Sequence, residues 1–226
     1  MNEAFAVSHR ENASISAITK LLPSYAGLQL EEEIKRLDSV MKNPARPLAL
    51  ILGGAKVRDK EGMIDYFKSK ADFILLGGGP ANTFLKASGV PIGKSIYDEE
   101  ADLSKLISLK KIIIPSDWKT EEGMILDIGP ETIKQYLEII KMSRTVIWSG
   151  PMGLVEKKRF ALGSEAIARG IARAKNRIFS VLGGGETTGF VARLGLAGRF
   201  DLVSTGGGAM LEYLSGKKLP GIETLK

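Results

Sequence analysis

Residues 48–60 read LALILGGAKVRDK: five apolar residues, then two glycines, then a charged segment. A continuous apolar run, in contrast to an alternating one, is typical of a strand buried on both faces of a parallel sheet. Five more runs of this kind follow, at residues 73–76, 112–114, 145–148, 178–182 and 201–205. The sequence therefore predicts six buried strands, of which residues 48–52 form the first.

Amphipathic stretches separate these runs. Apolar residues recur at helical spacing in three of them: Leu30, Ile34, Leu37 and Met41; Met63, Ile64 and Phe67; and Ile133, Leu137 and Ile140, with Pro130 at the entry to the third helix. We predict an α/β fold, a three-layer α/β/α Rossmann-like domain with a mostly parallel six-stranded sheet. A helix over residues 24–42 is expected before the sheet.

Composition excludes several kinds of site. The chain has 226 residues, a net charge of +6, no cysteine and one histidine, His9. Disulfides, thiolate metal sites, cysteine nucleophiles and multi-histidine metal sites are therefore excluded. No signal-peptide pattern is visible, and the apolar runs are far shorter than the ~20 residues that span a bilayer. We expect a soluble, cytoplasmic protein that binds neither nucleic acid nor membrane, with a charge that serves solubility or an anionic ligand.

The 26 glycines of the chain cluster where the predicted strands end. The clusters are Gly53-Gly54, Gly77-Gly78-Gly79, Gly150-Pro151-Met152-Gly153, Gly183-Gly184-Gly185 and Gly206-Gly207-Gly208. The carboxyl ends of parallel strands share one edge of the sheet, where α/β proteins bind their ligands. Any one cluster is explained by a tight turn, but five together indicate an anion or nucleotide site, because glycine lets backbone amides approach phosphate.

The common nucleotide motifs do not match. Residues 89–95, GVPIGKS, resemble a P-loop but have three residues between the glycines in place of four, and they follow a helical pattern. Residues 183–189, GGGETTG, are out of register with the dinucleotide pattern G-x-G-x-x-G. A P-loop ATPase is therefore rejected, and an NAD-dependent dehydrogenase is disfavoured.

Four charged residues near the glycine clusters have two interpretations each. Lys56 and Lys60, four apart after the first strand, either bind phosphate or lie on a solvated helix face. Glu186 is either a first-turn acid of a helix or a ligand of Mg²⁺. Glu156 is either a surface acid or an acceptor for ribose hydroxyls. Trp148 is expected in the core.

Seven motifs in one order carry a family resemblance. They are Asn2-Glu3-Ala4-Phe5 with Ser8-His9-Arg10, residues 51–60, Gly77-Gly78-Gly79, residues 126–130, Gly150-Pro151-Met152-Gly153, Gly183-Gly184-Gly185 and Ser204-Thr205-Gly206-Gly207-Gly208-Ala209. Leu219-Pro220-Gly221 near the end also fits. The chain resembles phosphoglycerate kinases over nearly its whole length.

The resemblance implies only part of that family's two-lobed fold. Residues 1–23 correspond to the end of the first lobe, residues 24–44 to the linking helix, and residues 45–226 to the nucleotide-binding domain. The implied reaction is ATP + 3-phosphoglycerate to ADP + 1,3-bisphosphoglycerate, with Mg²⁺. The alternative is a non-catalytic nucleotide-binding or interaction module. Because the phosphoglycerate lobe is missing, the chain alone is expected to bind ADP or ATP without turnover.

The resemblance also implies residue roles. Lys56, with Gly206, Gly207 and Gly208, would stabilise the phosphoryl group in transfer, and Arg10 would contact 3-phosphoglycerate. Nucleotide contacts would come from Gly53, Gly54, Lys56, Lys60, Gly77, Gly78, Gly150, Pro151, Glu156, Gly184, Gly185, Glu186 and Thr187. Glu186 would also hold the metal. Phosphoryl transfer needs positioning and charge neutralisation without a nucleophilic side chain, which agrees with the composition.

This sequence departs from the family pattern at four places. Glu186 replaces an aspartate, Ser149 an asparagine and Pro80 a methionine, and residues 115–126 form a shorter stretch than the family has. The longer arm of Glu186 changes how Mg²⁺ would be placed. We also expect part of the stripe from Leu30 to Met41 to be exposed where the first lobe would pack, and to promote self-association.

Overall fold

The structure is a computed structural model that describes residues 1–55, 58–104 and 106–225. Six strands form one parallel sheet: β1 (Leu48–Leu52), β2 (Phe73–Leu76), β3 (Ile112–Ile113), β6 (Thr145–Ser149), β7 (Phe179–Gly183) and β8 (Leu202–Val203). Their spatial order is β3-β2-β1-β6-β7-β8. Strands β1 to β3 are therefore added toward one edge of the sheet, and strands β6 to β8 toward the other. The predicted α/β fold is confirmed, and the main sheet is entirely parallel.

Helices cover both faces of the sheet. They are α1 (Leu28–Lys42), α2 (Arg58–Phe67), α3 (Gly78–Ala87), α4 (Pro130–Met142), α5 (Leu162–Arg173), α6 (Gly185–Arg193), α7 (Gly207–Leu214) and α8 (Pro220–Glu223). Alternate residues of β1 face opposite cores: Leu50 packs with α1, α2, α3 and α7, and Ile51 packs with α4, α5 and α6. This alternation makes the predicted three layers. None of the described helices is both long and apolar enough to cross a bilayer.

The first helix differs from its prediction in two ways. It begins at Leu28, four residues after the expected start, because the Glu3 carboxylate accepts a hydrogen bond of 3.0 Å from the Leu30 amide and so caps this end. Its apolar stripe is also not an exposed surface. Leu30 and Leu37 are fully buried, and Ile34 and Met41 pack against the same core.

A two-stranded antiparallel hairpin was not predicted. It consists of β4 (Trp118–Glu121) and β5 (Met124–Ile128), joined by Glu122 and Gly123, both of which have positive φ. A two-residue turn of this kind matches the twist of the strands that it joins. The hairpin stands beside the main sheet and includes most of the stretch that is shorter than in the family pattern.

The residues before α1 pack closely on α7 and α8. Phe5 is buried and meets the Tyr213 ring edge to face at 6.3 Å, and the Ser8 carbonyl accepts a hydrogen bond from the Gly221 amide. Gly206 lies against Ala6, where a Cβ would leave no room. This packing carries His9 and Arg10 to the edge of the sheet where α7 begins.

Candidate functional site

Two cavities adjoin at the carboxyl edge of the sheet. The first, here the apolar cavity, has a volume of about 250 Å³ and is lined by α3, the hairpin and the turn after β6. The second, here the polar cavity, has a volume of about 660 Å³ and is lined by the turns after β1, β6, β7 and β8. Gly54, Pro151 and Glu186 line both, so the two cavities form one continuous cleft.

The turns of the polar cavity are packed so closely that side chains would not fit. Gly150 has φ +89°, and a Cβ on it would lie 2.8 Å from the Gly54 nitrogen. A Cβ on Gly207 would lie 2.8 Å from the Cα of Gly184, which itself has φ +87°. These glycines therefore bring the turns after β1 and β6 together, and likewise the turns after β7 and β8, and they leave backbone at the cavity surface.

Two helices begin at this surface. Helix α6 starts at Gly185 and helix α7 at Gly207, and the first-turn amides of an α-helix have no partner within the helix. Gly185, Glu186, Gly207 and Gly208 all line the polar cavity. The positive ends of two helix dipoles thus meet in one cavity, which favours an anion.

Charged side chains complete the polar cavity. Lys60, 7 % exposed, lies in the first turn of α2, with its Nζ 3.7 Å from the position that a Cβ on Gly54 would occupy. Arg58 pairs with Glu100 and Asp98. Lys56, which the sequence places four residues before Lys60, lies outside the described residues.

Thr187 links two of the turns. Its side chain is fully buried, and its Oγ1 accepts a hydrogen bond of 2.9 Å from the Gly150 amide. Trp148 is fully buried as expected, and its Nε1 donates to the Gly150 carbonyl at 2.8 Å. Thr187 lines the polar cavity, but its hydroxyl already holds the turn after β6 in place.

Gly53 and Gly77 lie behind the cavities. Neither lines the apolar or the polar cavity, although both were predicted to contact the nucleotide. A Cβ on Gly53 would overlap the Pro151 carbonyl, and one on Gly77 would lie 2.7 Å from the Met152 sulfur. Gly78 lines the apolar cavity, and its amide donates to the Met152 carbonyl at 3.1 Å. These glycines allow neighbouring turns to pack closely.

Glu156 and Glu186 are both exposed and both line the apolar cavity. The described residues contain no cluster of three or more His, Asp and Glu side chains able to hold a metal ion. Mg²⁺ usually binds one or two carboxylates together with water and substrate phosphates. Glu186, which also lines the polar cavity, therefore fits a Mg²⁺ that a bound phosphate chain would largely coordinate.

Arg10 lies at the end of the cleft where α7 begins. Its Nε donates to His9 Nε2 at 3.3 Å, and that nitrogen is 3.3 Å from the position that a Cβ on Gly208 would occupy. The Arg10 side chain is exposed. The structure thus brings Arg10 close to the predicted Gly206-Gly207-Gly208 turn, although nearly two hundred residues separate them in sequence.

A buried glutamate that the sequence did not single out holds the same turn. Glu33, on α1, is 4 % exposed. Its Oε1 accepts from Ser204 Oγ at 2.7 Å and from the Thr205 amide at 3.0 Å, and its Oε2 accepts from Thr205 Oγ1 at 2.9 Å. Glu33 is one of three consecutive glutamates, and nothing in the sequence distinguishes it from the other two.

The apolar cavity is lined by residues to which the sequence assigned no role in a site, although three of them, at 126–128, belong to a family motif. They are Asn82, Leu85, Ile96, Trp118, Met124, Ile125, Leu126, Asp127 and Ile128. The hairpin provides six of these. Gly123, between two stretches of strand-forming residues, was the available signal for the hairpin turn.

The rejected P-loop resemblance has a structural explanation. Gly89 follows helix α3 and not a strand, as the sequence indicated. The Lys94 amide donates to the Gly123 carbonyl at 2.8 Å, and Ser95 Oγ accepts from the Ile125 amide at 2.7 Å. This segment holds the hairpin against α3.

Comparisons with known proteins agree with this geometry. The family model "Phosphoglycerate kinase" matches residues 1–217. Phosphoglycerate kinase of Pelotomaculum thermopropionicum is 39 % identical over 251 residues, with 100 % of this chain and 63 % of the relative covered. That of Geotalea daltonii is 42 % identical over 253 residues, again with 100 % and 63 % covered.

Solved structures give the same result. Phosphoglycerate kinase from Coxiella burnetii superposes with a TM-score of 0.87 at 32 % identity, covering 97 % of this chain and 63 % of that one. The enzyme from Pyrococcus horikoshii gives 0.81 at 30 % identity, covering 98 % and 62 %. The chain thus spans a little under two thirds of the length of these relatives, and it belongs to the phosphoglycerate kinase family.

Proposed function

We propose that this chain binds ADP or ATP along the cleft, with the base in the apolar cavity and the phosphates in the polar cavity. The observation that carries the proposal is the continuity of the two cavities through Gly54, Pro151 and Glu186. A nucleotide has the same division, with a flat base at one end and a charged chain at the other. Glu156, exposed in the wall of the apolar cavity, is proposed to accept from ribose hydroxyls.

The phosphate end rests on charge and on backbone amides. Lys60 supplies a positive charge in the wall, and α6 and α7 direct their amino ends at the same space. Glu186 is proposed to hold Mg²⁺, which would neutralise phosphate charge when bound. Lys56 is proposed to stabilise the phosphoryl group in transfer, on the family resemblance alone.

The complete reaction is proposed by family membership: ATP + 3-phosphoglycerate to ADP + 1,3-bisphosphoglycerate, in the cytoplasm. In that reaction the Gly206-Gly207-Gly208 turn would donate amides to the transferring phosphoryl group, and Arg10 beside it would contact 3-phosphoglycerate. This chain spans 63 % of the relatives. We therefore propose that, tested alone, it binds nucleotide and does not turn over.

Calorimetry with ADP, with and without Mg²⁺, tests the binding. We expect Mg²⁺ to tighten ADP binding and an enzyme-coupled assay of the 226-residue chain to show no turnover. Addition of the first lobe of a relative as a separate protein should restore turnover. Absence of ADP binding would refute the binding proposal, and substantial turnover by the chain alone would refute the proposed inactivity.

A second candidate is a non-catalytic nucleotide-binding module. The observation in its favour is that Glu186 and Ser149, which both line the polar cavity, depart from the family pattern. This candidate expects ADP to bind equally well without Mg²⁺, and it expects no turnover after the first lobe is added.

A face near the start of the chain is proposed as a protein contact. Five large apolar side chains in residues 18–28, up to the first residue of α1, are exposed: Ile18, Leu21, Leu22, Tyr25 and Leu28. Exposed apolar patches commonly mark interfaces. We propose that the part of the family fold that this chain does not span covers them, and that the chain self-associates without it. Light scattering at micromolar concentration tests this: a monomer throughout would contradict it.

A further inference from the structure

The carboxylate of Asp127 is buried in the wall of the apolar cavity, at the end of β5. The residue is 1 % exposed. Its Oδ2 accepts a hydrogen bond of 2.9 Å from the Gly163 amide in the first turn of α5, and its Oδ1 accepts from the Ile128 amide at 2.9 Å. Burying a carboxylate is costly unless its hydrogen bonds are satisfied. One acid thus joins the hairpin to a helix of the main domain.

Two glycines close around this carboxylate. A Cβ on Gly153, in the turn after β6, would lie 2.5 Å from Oδ1, and one on Gly163 would overlap the same oxygen. The Leu154 amide donates to the Leu126 carbonyl at 2.8 Å, directly beside the acid. The backbone at Gly153 and the backbone at Gly163 therefore both pack on Asp127. Gly153 lines the apolar cavity, and Gly163 lies behind its wall.

Asp117 provides an internal comparison at the other base of the hairpin. It precedes β4, and its carboxylate accepts from the amides of Glu131 and Thr132 at the start of α4. The hairpin is thus attached to the domain by two aspartates, each holding the amino end of a helix. Asp127 lines the apolar cavity, whereas Asp117 does not.

We infer that Asp127 is a positioning residue for base recognition: it sets the distance between β5, the turn after β6 and α5, and so fixes the width of the apolar cavity. The inference rests on the proposed nucleotide binding. It assigns Asp127 no part in holding phosphates, because the residue does not line the polar cavity. Loss of Asp127 should therefore weaken the base-dependent part of binding and spare the phosphate-dependent part.

The test compares adenosine, pyrophosphate and ADP as calorimetric ligands for the unchanged chain, D127N and the matched control D117N. We expect D127N to weaken the binding of adenosine and of ADP at least fivefold, while the affinity for pyrophosphate changes less than twofold. D117N should change all three less than twofold. Equal weakening of adenosine and pyrophosphate by D127N, or no weakening of adenosine, would overturn the inference. If the unchanged chain binds no ADP, the proposed function fails and this inference fails with it.

A second measurement keeps the inference falsifiable if D127N does not fold. Burial raises the pKa of Asp127 to about 6, although backbone hydrogen bonds and the charge of Lys119 on β4 oppose the rise. Adenosine affinity of the unchanged chain should therefore fall at least threefold between pH 7.5 and pH 5, as protonation weakens the two accepted hydrogen bonds. Glu156 and Glu186 line the same cavity, so the series is repeated with E156Q and E186Q. The inference would be overturned if the adenosine affinity of the unchanged chain did not depend on pH. It would also be overturned if either glutamine variant abolished the pH dependence.

Discussion

The polar cavity is built around the glycine turns after β1, β6, β7 and β8, whereas most residues that line the apolar cavity come from the hairpin, α3 and the turn after β6. The polar cavity depends on the absence of side chains, since a Cβ at Gly150 or Gly207 would collide with a neighbouring turn. The apolar cavity depends on Asp127 to hold three separate segments. Substitutions in the polar cavity should therefore impair binding through steric overlap. Substitutions in the apolar cavity should impair it because the segments that line the cavity are no longer aligned.

The largest effect is expected from adding a methyl group to the polar cavity. The G150A variant must accommodate a Cβ 2.8 Å from the Gly54 nitrogen at φ +89°. We expect it to lower the free energy of unfolding by at least about 3 kcal/mol and to abolish ADP binding. Urea unfolding and calorimetry measure the two effects.

The matched control is G189A. Gly189 lies within α6, and a Cβ there would meet the Arg193 side chain only at 3.8 Å. The free energy of unfolding of this variant should rise by about 0.5–1 kcal/mol, because alanine has a higher helix propensity than glycine. Equal behaviour of the two variants would mean that the turn after β6 is not constrained by close packing.

The two hairpin aspartates should respond to pH in opposite directions. Burial raises the pKa of Asp127 to about 6 from an ordinary 3.8, so the folded chain binds more protons than the unfolded chain between these values. Relative to D127N, the unfolding free energy of the unchanged chain should fall by about 2 kcal/mol as pH rises from 4 to 7.

Asp117 should give the opposite dependence of the unfolding free energy on pH. Burial would raise the pKa of Asp117, but hydrogen bonds from Thr132 and Glu131 outweigh it and lower that pKa. Its contribution to stability is present above the unfolded pKa and is lost as pH falls through the folded one. Urea unfolding of D117N and D127N across pH measures both slopes, and slopes of the same sign would contradict this account.

A smaller effect is expected from removing charge from the polar cavity. K60A should weaken ADP and pyrophosphate alike, by at least tenfold or about 1.4 kcal/mol, because Lys60 lines only this cavity. Adenosine binding should be unchanged. The control is K68A, in the turn directly after the same helix, where Lys68 pairs with Asp65 at the surface. Weakened adenosine binding in K60A would show that the two cavities are not separable.

The smallest effect concerns the metal. E186A should weaken ADP about threefold in the presence of Mg²⁺ and leave binding in its absence unchanged, since water and phosphate supply most ligands of a bound Mg²⁺. Glu165 on α5, which pairs with Arg169, gives the control E165A. A loss of affinity in E186A without Mg²⁺ would assign Glu186 a role other than metal binding.

The same contrast explains how much the sequence could predict. Strands β1 and β6 are continuous apolar runs followed by glycines, so both the sheet and the polar edge follow from local patterns. The hairpin has partly buried strands with mixed polarity, such as WKTE in β4, and its place is set by contacts distant in sequence. Asp127 belongs to a motif that the sequence made visible, yet its burial against Gly153 and Gly163 depends on tertiary packing.

Arg10 and Glu33 show the same limit for the turn that follows β8. Each lies more than 170 residues before that turn and reaches it only through the packing of the first helix and the segment ahead of it. Arg10 was predicted from a family motif, whereas no local pattern indicated Glu33. Residue roles that depend on distant segments require either a resemblance or a structure.

The most direct test of the two-part cleft is a calorimetric titration of the unchanged chain with adenosine and pyrophosphate together. The account predicts that each binds with the same affinity whether or not the other is present, and that ADP displaces both. Competition between adenosine and pyrophosphate, or ADP binding no tighter than pyrophosphate, would contradict it.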